Sequence, residues 1–127
     1  MLSKSDLKQR VCHAIDSQRD DIITIGDTIL RNPETGCNEH KTARLVLDEF
    51  EKLGLPCESG LAVTGVKSRL TSGRKGPTVA ILGELDSLVV SEHPLADPIT
   101  GAAHACGHNA QIAGLVGAAR ALKVSGV

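Results

Sequence analysis

Apolar residues recur at helical spacing along the first third of the chain. The first pattern starts after Ser3 or Ser5, either of which can cap a helix, and stops at Asn32-Pro33. It predicts one long helix that bends near Gly26. Its apolar positions are Leu7, Val11, Ile15, Ile22, Ile25, Ile29 and Leu30.

A second helical pattern runs from about Asn38 to Leu53 and ends at Gly54, a residue that commonly stops helices. Its charged side chains are expected to form a solvated face. Glu34, Glu39 and His40 precede or open this pattern. We interpret them as turn and helix-start residues, because an acidic group in the first turn complements the helix dipole.

After Pro56 the pattern becomes strand-like. Residues 57–63 and 65–70 are predicted as a short hairpin, and residues 71–77 as a polar turn. Residues 78–82, Thr-Val-Ala-Ile-Leu, form the continuous apolar run expected of a strand buried on both faces. Glu84 and Asp86 follow it directly. Since chemistry in α/β proteins gathers beyond the carboxyl ends of strands, both carboxylates become candidate site residues.

The last part is predicted as a loop over residues 87–103 and a helix that starts at Asn109 or Ala110 and stops near Gly126. Gly114 and Gly117 are expected to let this helix pack closely. Helices and strands in this order predict an α/β fold, with helices packed on a central mixed β-sheet.

Composition narrows the function classes. The 127 residues carry a formal net charge of −1 and only 1% aromatic residues, so one domain with an aliphatic core is expected. There is no basic stripe that suggests nucleic acid and no apolar run suited to a membrane, and a cytoplasmic protein is expected. The four cysteines form no disulfide framework and are expected to be free thiols.

Two imidazoles and a thiol lie within five residues, at His104, Cys106 and His108, directly before the last predicted helix. Zinc takes thiolate and imidazole ligands, and a catalytic site keeps a position open for water. A metal site is therefore the first hypothesis. The alternatives are packing residues, a non-catalytic metal-binding or interaction protein, and a thiol enzyme with Cys106 as nucleophile and a histidine as base.

Six segments together resemble one known family in their order along the chain. That family is the aminoacylase and hippurate-hydrolase family of metal-dependent amidohydrolases, which includes auxin-conjugate hydrolases, aminobenzoyl-glutamate hydrolases and dipeptidases. The resemblance covers nearly the whole chain from Asp20 onward and implies the N-terminal portion of a zinc-peptidase-like catalytic domain. The segments are Asn32-Pro33-Glu34, residues 39–43, Thr64-Gly65-Val66, residues 76–80, Glu84-Leu85-Asp86 and residues 104–108.

The resemblance also implies roles for individual residues. Cys106 and His108 match the first two ligands of a pair of divalent ions, zinc or manganese. Asp86 matches an acid that supports the metal centre without binding the ion. Glu84 stands where many relatives have a ligand histidine and is interpreted as supporting too. His104 opens the motif and is either a structural histidine or a site residue.

Asn109 and Gln111 depart from the commonest family pattern, which has Asp and His at these positions. The Asn form resembles the aminobenzoyl-glutamate hydrolase and dipeptidase-like branch, and Asn109 is a further candidate supporting residue. Longer family members also have an inserted dimerisation domain, a Glu-Glu pair that contains the general base, and two later histidine ligands.

None of these later features occurs in residues 1–127. We therefore expect an incomplete catalytic domain that is inactive alone. The full-length protein is expected to be a homodimer. It would hydrolyse an amide bond in a small molecule: an N-acyl amino acid, an aminobenzoyl-glutamate-like compound or a dipeptide.

Overall fold

Four helices and two small antiparallel sheets make up the described residues, 2–126, of the computed structural model. This is a mixed α/β architecture. The zinc-peptidase-like fold stays a prediction. The elements are α1 (Lys4–Asp16), α2 (Arg19–Leu30), α3 (His40–Lys52), β1 (Cys57–Leu61), β2 (Gly65–Ser68), β3 (Leu88–Val89), β4 (Ala102–Ala103) and α4 (His108–Ser125).

The prediction of one long N-terminal helix bent near Gly26 is wrong. Ser3 caps α1, and the helix ends at Asp16, where Ser17 Oγ and Gln18 Nε2 both donate to the Ala14 carbonyl, at 3.0 and 2.9 Å. Side chains that bind a helix carbonyl in this way compete with continued helical bonding. The chain therefore turns after α1, and α2 begins as a separate helix.

Gly26 lies inside α2, where it allows close contact with α4. A Cβ at Gly26 would lie 3.3 Å from the Ala113 Cβ, and one at Gly117 would lie 3.0 Å from Ile22 Cδ1. The close packing predicted for Gly117 is therefore confirmed. The same prediction for Gly114 is wrong, because nothing lies within 4 Å of a Cβ placed there.

The hydrophobic core lies between α2, α3 and α4. Phe50, the single aromatic residue of the chain, is 6% exposed in it. The helices predicted over residues 38–53 and 109–126 are thus confirmed, with α4 beginning one residue early, at His108. The core residues are Ile25, Ile29, Val46, Phe50, Leu55, Ile112, Ala113 and Val116.

A polar cluster ties the same three helices together at one side of the core. The Arg120 guanidinium of α4 lies 2.8 Å from Glu49 Oε2 of α3 and 2.7 Å from Asp21 Oδ2 of α2. The Glu49 side chain is only 10% exposed, and Lys52 Nζ contacts its other oxygen at 2.6 Å. Both carboxylate oxygens of Glu49 are therefore paired, as a nearly buried charge requires.

The predicted hairpin is confirmed, with shorter strands than expected. β1 and β2 pair antiparallel, with Cys57 opposite Ser68. Val63, in the connection, adopts φ 88°, a conformation unusual for a β-branched residue. A Cβ at Gly65 would lie 2.5 Å from the Leu61 carbonyl oxygen, so only glycine fits at this close approach. Thr64 Oγ1 donates to the buried Glu39 at 2.7 Å and pins the hairpin to α3.

The start of α3 agrees with the interpretation of Glu34 as a helix-start residue. Its carboxylate accepts hydrogen bonds from the backbone N–H groups of Lys41 and Thr42, at 3.0 and 2.9 Å. Free N–H groups of a first helical turn need such acceptors. Glu39 stands at the N-cap position and His40 is the first helical residue.

The predicted central strand at residues 78–82 is wrong for the described structure. These residues form no strand, and Val79 and Leu82 are 82% and 87% exposed. A strand needs a neighbour for its backbone groups, and the two sheets found within residues 2–126 each pair only their own two strands. The predicted central mixed sheet is likewise not formed by these residues.

The loop predicted over residues 87–103 contains a short sheet instead. β3 and β4 pair antiparallel, with Leu88 opposite Ala103. Both alanines of β4 are fully buried, which brings the following residues, 104–108, back to the helical core. All four cysteines are free thiols. No helix among residues 2–126 combines the length and apolarity that a membrane crossing requires.

Candidate metal centre

The segment that carries Glu84 and Asp86 lies along the first turns of α4. A Cβ at Gly83 would lie 2.9 Å from Ile112 Cδ1, so glycine permits this close approach. The backbone N–H of Glu84 then donates to Gln111 Oε1 at 2.6 Å. On its other side the segment is fixed by Ser87, whose N–H and hydroxyl both donate to the Glu34 carbonyl at 2.8 Å.

His108, the first residue of α4, lies between the two carboxylates. Its Nδ1 is 2.9 Å from the Asp86 carbonyl oxygen and 3.0 Å from Asp86 Oδ1. Its Nε2 is 2.9 Å from Glu84 Oε2. The ring is largely buried, with 14% of the side chain exposed, whereas the Glu84 side chain is 65% exposed. The imidazole is thus held by Asp86, and its Nε2 faces a carboxylate that is free to move.

These contacts favour the protonated ring. The Asp86 carbonyl, which accepts from Nδ1, is the main cause that raises the pKa of His108 above its ordinary 6.5. Partial burial of the ring opposes the rise, and the charges of Glu84 and Asp86 add to it. Both ring nitrogens therefore face acceptors, and a cation is favoured at Nε2.

His104 has the opposite environment. It is 7% exposed, and neither ring nitrogen has a hydrogen-bond partner among the described residues. Burial lowers the pKa of His104 below 6.5, and the nearby His108 charge lowers it further, while Asp86 and Glu34 act in the opposite sense. The ring is therefore favoured in its neutral form. This agrees with a structural histidine more than with a proton donor.

Cys106 and Asn109 lie apart from these contacts. Cys106 is exposed and precedes Gly107, which adopts φ 96° at the N-cap of α4. Asn109 Nδ2 points to α2, 3.4 Å from the Gly26 carbonyl, so its observed contact is with the helical packing. The structure thus gathers Glu84, Asp86 and His108 and leaves Cys106 beside them at the surface.

The donor set fits a metal ion in chemistry and only in part in arrangement. Cys106 and His108 supply a thiol and an imidazole, and His108 has the orientation typical of a metal ligand, with one ring nitrogen bonded to a carbonyl. No set of three or more His, Cys, Asp or Glu residues within 2–126 is arranged to hold an ion. Any ion bound here therefore needs Cys106 or Glu84 to rotate toward His108.

Gln111 was noted in the sequence only as a departure from the family pattern, yet it anchors Glu84. Its spacing of three from His108 places both side chains on one face of α4, and this spacing was a usable signal. The bond of Ser87 to Glu34, 53 residues away, had no signal in the local pattern.

Comparison with known proteins identifies the class to which this site belongs. No family model matches the chain. Thermostable carboxypeptidase 2 of Saccharolobus solfataricus is 33% identical over 118 residues, which cover 90% of this chain and 30% of that protein. The IAA-amino acid hydrolase ILR1-like 6 of Arabidopsis thaliana is 37% identical over 99 residues, 76% of this chain and 21% of the relative.

An N-acyl-L-amino acid amidohydrolase of Geobacillus stearothermophilus is 30% identical over 116 residues, 89% of this chain and 31% of its own length. The chain is thus a homologue of amidohydrolases and carboxypeptidases, and it spans less than a third of the length of these curated relatives. The resemblance to the aminoacylase and hippurate-hydrolase family is confirmed, and the chain belongs with part of the sequence of that family.

Proposed function

We propose that the chain is part of a metal-dependent amidohydrolase that cleaves an amide bond in a small N-acyl amino acid. The observation that carries this proposal is the setting of His108. Asp86 holds its Nδ1, and its Nε2 is directed at Glu84 on the accessible side of the ring. An imidazole fixed in this way is prepared to present one nitrogen to a cation.

Cys106 and His108 are the proposed metal ligands, for two divalent ions of zinc or manganese in the complete site. A bound ion would polarise the scissile carbonyl and lower the pKa of its water to about 7. Asp86 fixes the orientation of the His108 ring and stabilises its charge. Glu84, exposed and hydrogen-bonded through its backbone to Gln111, places a carboxylate at the free face of the ring.

The substrate class comes from the relatives. Their names describe an N-acyl-L-amino acid amidohydrolase, an IAA-amino acid hydrolase and a carboxypeptidase, all of which suit an amide bond next to an amino-acid carboxylate. Aminobenzoyl-glutamate-like compounds and dipeptides have the same bond and stay within the proposal. A homodimer is proposed for the full-length protein.

Residues 1–127 alone are proposed to be inactive. The Glu-Glu pair that would supply the general base in the family is not in this sequence. The chain should therefore bind a metal without turnover of N-acetyl or N-benzoyl amino acids. Metal-dependent hydrolysis by the purified chain, retained in the His108→Ala variant, would contradict the assignment of His108.

Alkylation of Cys106 tests its proposed role. Iodoacetamide labelling of each cysteine is followed by peptide mass spectrometry with Zn²⁺, with N-acetyl amino acid, or with neither. A ligand thiolate is protected by Zn²⁺ alone, whereas a nucleophile is protected by the substrate analogue. Cys12 and Cys37, which are also exposed, serve as internal controls whose labelling should not change.

A non-catalytic metal-binding or interaction protein is the second candidate. It is favoured by one observation, the lack of three grouped ligands within residues 2–126. Such a protein would bind Zn²⁺ through Cys106 and His108, and joining the remaining two thirds of a relative's sequence would not restore hydrolysis. A chimera with the corresponding part of the Geobacillus stearothermophilus amidohydrolase, assayed on N-acetyl amino acids, distinguishes the two candidates.

A further inference from the structure

The contact between Glu84 and His108 is closer than a supporting role for Glu84 requires. Glu84 Oε2 lies 2.9 Å from Nε2, the one nitrogen of His108 that Asp86 does not hold. Any ion that binds His108 through Nε2 must occupy the space next to this oxygen. The carboxylate must then either move away from the ion or bind it.

Geometry favours binding. Two ligands of a tetrahedral zinc ion, with metal–ligand bonds of about 2.0–2.1 Å, are about 3.3 Å apart. The observed 2.9 Å contact needs to open by only a few tenths of an ångström to admit the ion. The Glu84 side chain is 65% exposed, so this movement meets little steric resistance.

The backbone of Glu84 is fixed where this movement would begin. Its N–H donates to Gln111 Oε1 at 2.6 Å, and Gly83 lies against Ile112 and Leu115 of α4. The carboxylate therefore pivots about an anchored backbone, next to a ring held by Asp86. A negative oxygen donor beside an imidazole is an accepted ligand pair for zinc and, through its oxygen, for manganese.

We propose that Glu84 is a direct metal ligand, together with His108 and Cys106, and that Gln111 positions it through the backbone. This inference rests on the proposed function, since it assigns a third donor to the same metal site. It replaces the supporting role expected for Glu84 from sequence. Cys106, Glu84 and His108 would then provide the three protein ligands that a catalytic zinc usually has.

Metal binding to the 127-residue chain tests the proposal without any activity assay. Affinity for Zn²⁺ is measured by competition with a chromophoric chelator, and Co²⁺ spectra report the coordination number and the thiolate bond. The Glu84→Gln variant keeps the shape of the side chain and removes its charge. It should bind Zn²⁺ about tenfold more weakly or worse, since even partners that only orient ligands change affinity by roughly 10–100-fold.

Three further variants make the result specific. Glu92→Gln removes an equally exposed charge elsewhere and should leave the affinity unchanged. Glu84→His should retain Zn²⁺ binding and lose preference for Mn²⁺, because imidazole replaces an oxygen donor. Gln111→Met should weaken binding several-fold, and Gln111→Glu, which keeps the acceptor, should restore it. Circular dichroism and thermal midpoints check that every variant is folded.

The outcomes separate this inference from the proposed function. If the unmodified chain binds Zn²⁺ and Glu84→Gln binds it equally well or more tightly, Glu84 is not a ligand and the metal site stands without it. If the unmodified chain binds neither Zn²⁺ nor Co²⁺ while it is folded, both the metal site and the role of Glu84 are contradicted. Weaker binding in Glu84→Gln with an altered Co²⁺ spectrum supports both.

Discussion

The helical core and residues 78–82 are built from the same aliphatic residue types and have opposite environments. Ile29 of α2 and Val116 of α4 are 2% and 0% exposed, whereas Val79 and Leu82 are 82% and 87% exposed. A helix satisfies its backbone within its own turns and needs a neighbour only for its apolar face. A strand needs a neighbour for its backbone as well, and no such neighbour lies within residues 2–126.

The comparison teaches that an apolar run specifies burial only when the sequence also contains what will cover it. The chain matches less than a third of the length of its relatives. Helix α4 finds α2 and α3 within the chain, while residues 78–82 do not find a second strand. Leu85, three residues further on, packs partly against the helical core, so the helical environment resumes directly after the exposed run.

The largest difference between the two regions is expected on truncation of a core side chain. Phe50→Ala should lower the free energy of unfolding by about 3–5 kcal/mol, because it removes the one aromatic residue of the core and leaves a cavity. Val79→Ala, in the exposed run, should change it by less than about 0.5 kcal/mol. Urea denaturation followed by circular dichroism measures both. Similar losses for the two variants would show that residues 78–82 are buried in solution.

The polar cluster around Arg120 gives the second largest expected effect. Arg120→Met should destabilise the chain by about 2–3 kcal/mol, because it leaves the nearly buried Glu49 carboxylate without its guanidinium partner. The loss stays below that of a fully unpaired charge, since Lys52 still contacts Glu49. Urea denaturation of the variant, in low and in high salt, checks this value.

Arg44→Met is the matched control for Arg120. Arg44 pairs with Asp48 at 2.6 Å, but its side chain is 64% exposed, and exposed pairs contribute about 0–1 kcal/mol. The Arg44 variant should therefore differ little from the unmodified chain at any salt concentration. Equal losses in the two arginine variants would mean that the Arg120 cluster is solvated.

Much of the helical half was predictable from sequence, and the reasons are local. The cap at Ser3, the stop at Gly54 and the apolar positions of α3 and α4 all depend on neighbours within a few turns. The break after Asp16 was missed because it depends on two side chains, of Ser17 and Gln18, that bind the Ala14 carbonyl.

The candidate site was predictable in its residues and not in its contacts. The motif of residues 104–108 and the acids after residue 82 drew attention to Glu84, Asp86 and His108, which the structure brings together. Which nitrogen of His108 each acid contacts depends on how residues 83–87 lie on α4. That placement is set by Gln111, 27 residues from Glu84, and by Glu34, 53 residues from Ser87. Sequence spacing does not encode such distances.

The two histidines of the motif should respond to pH in opposite ways. In the metal-free chain with chelator present, His108 should titrate above 6.5 and His104 below it. The acceptors around His108 stabilise its charged form, and burial of His104 disfavours its charge. Ring resonances in NMR spectra measure both, and the His104→Gln and His108→Gln variants assign them.

The sign of each contribution to stability follows from these shifts. The pKa of folded His108 is raised, so its contribution is complete below the unfolded value near 6.5 and is lost as pH rises through the folded pKa. The pKa of folded His104 is lowered, so its contribution is present above 6.5 and is lost as pH falls through the folded pKa. Removal of His108 should therefore flatten the stability profile above pH 6.5, and removal of His104 should flatten it below.

The smallest effect on stability, and the most informative about the exposed run, is expected from Ile81→Lys. Ile81 is 59% exposed, so a charge there should change the free energy of unfolding by less than about 0.5 kcal/mol. Residues 78–82 combine β-branched and aliphatic side chains with no charge and no proline, a composition that favours pairing between chains. A lysine at the centre of an unpaired edge opposes such pairing.

Sedimentation velocity as a function of protein concentration measures this difference. The unmodified chain should associate at concentrations where Ile81→Lys stays monomeric, with equal urea midpoints for the two. Glu58→Lys, an exposed charge change in β1, controls for net charge. If Ile81→Lys unfolds the chain, residues 78–82 are buried in solution and the contrast with the helical core disappears. If it changes neither association nor stability, the run is exposed and does not pair, because exposure alone is then insufficient to bring two such segments together.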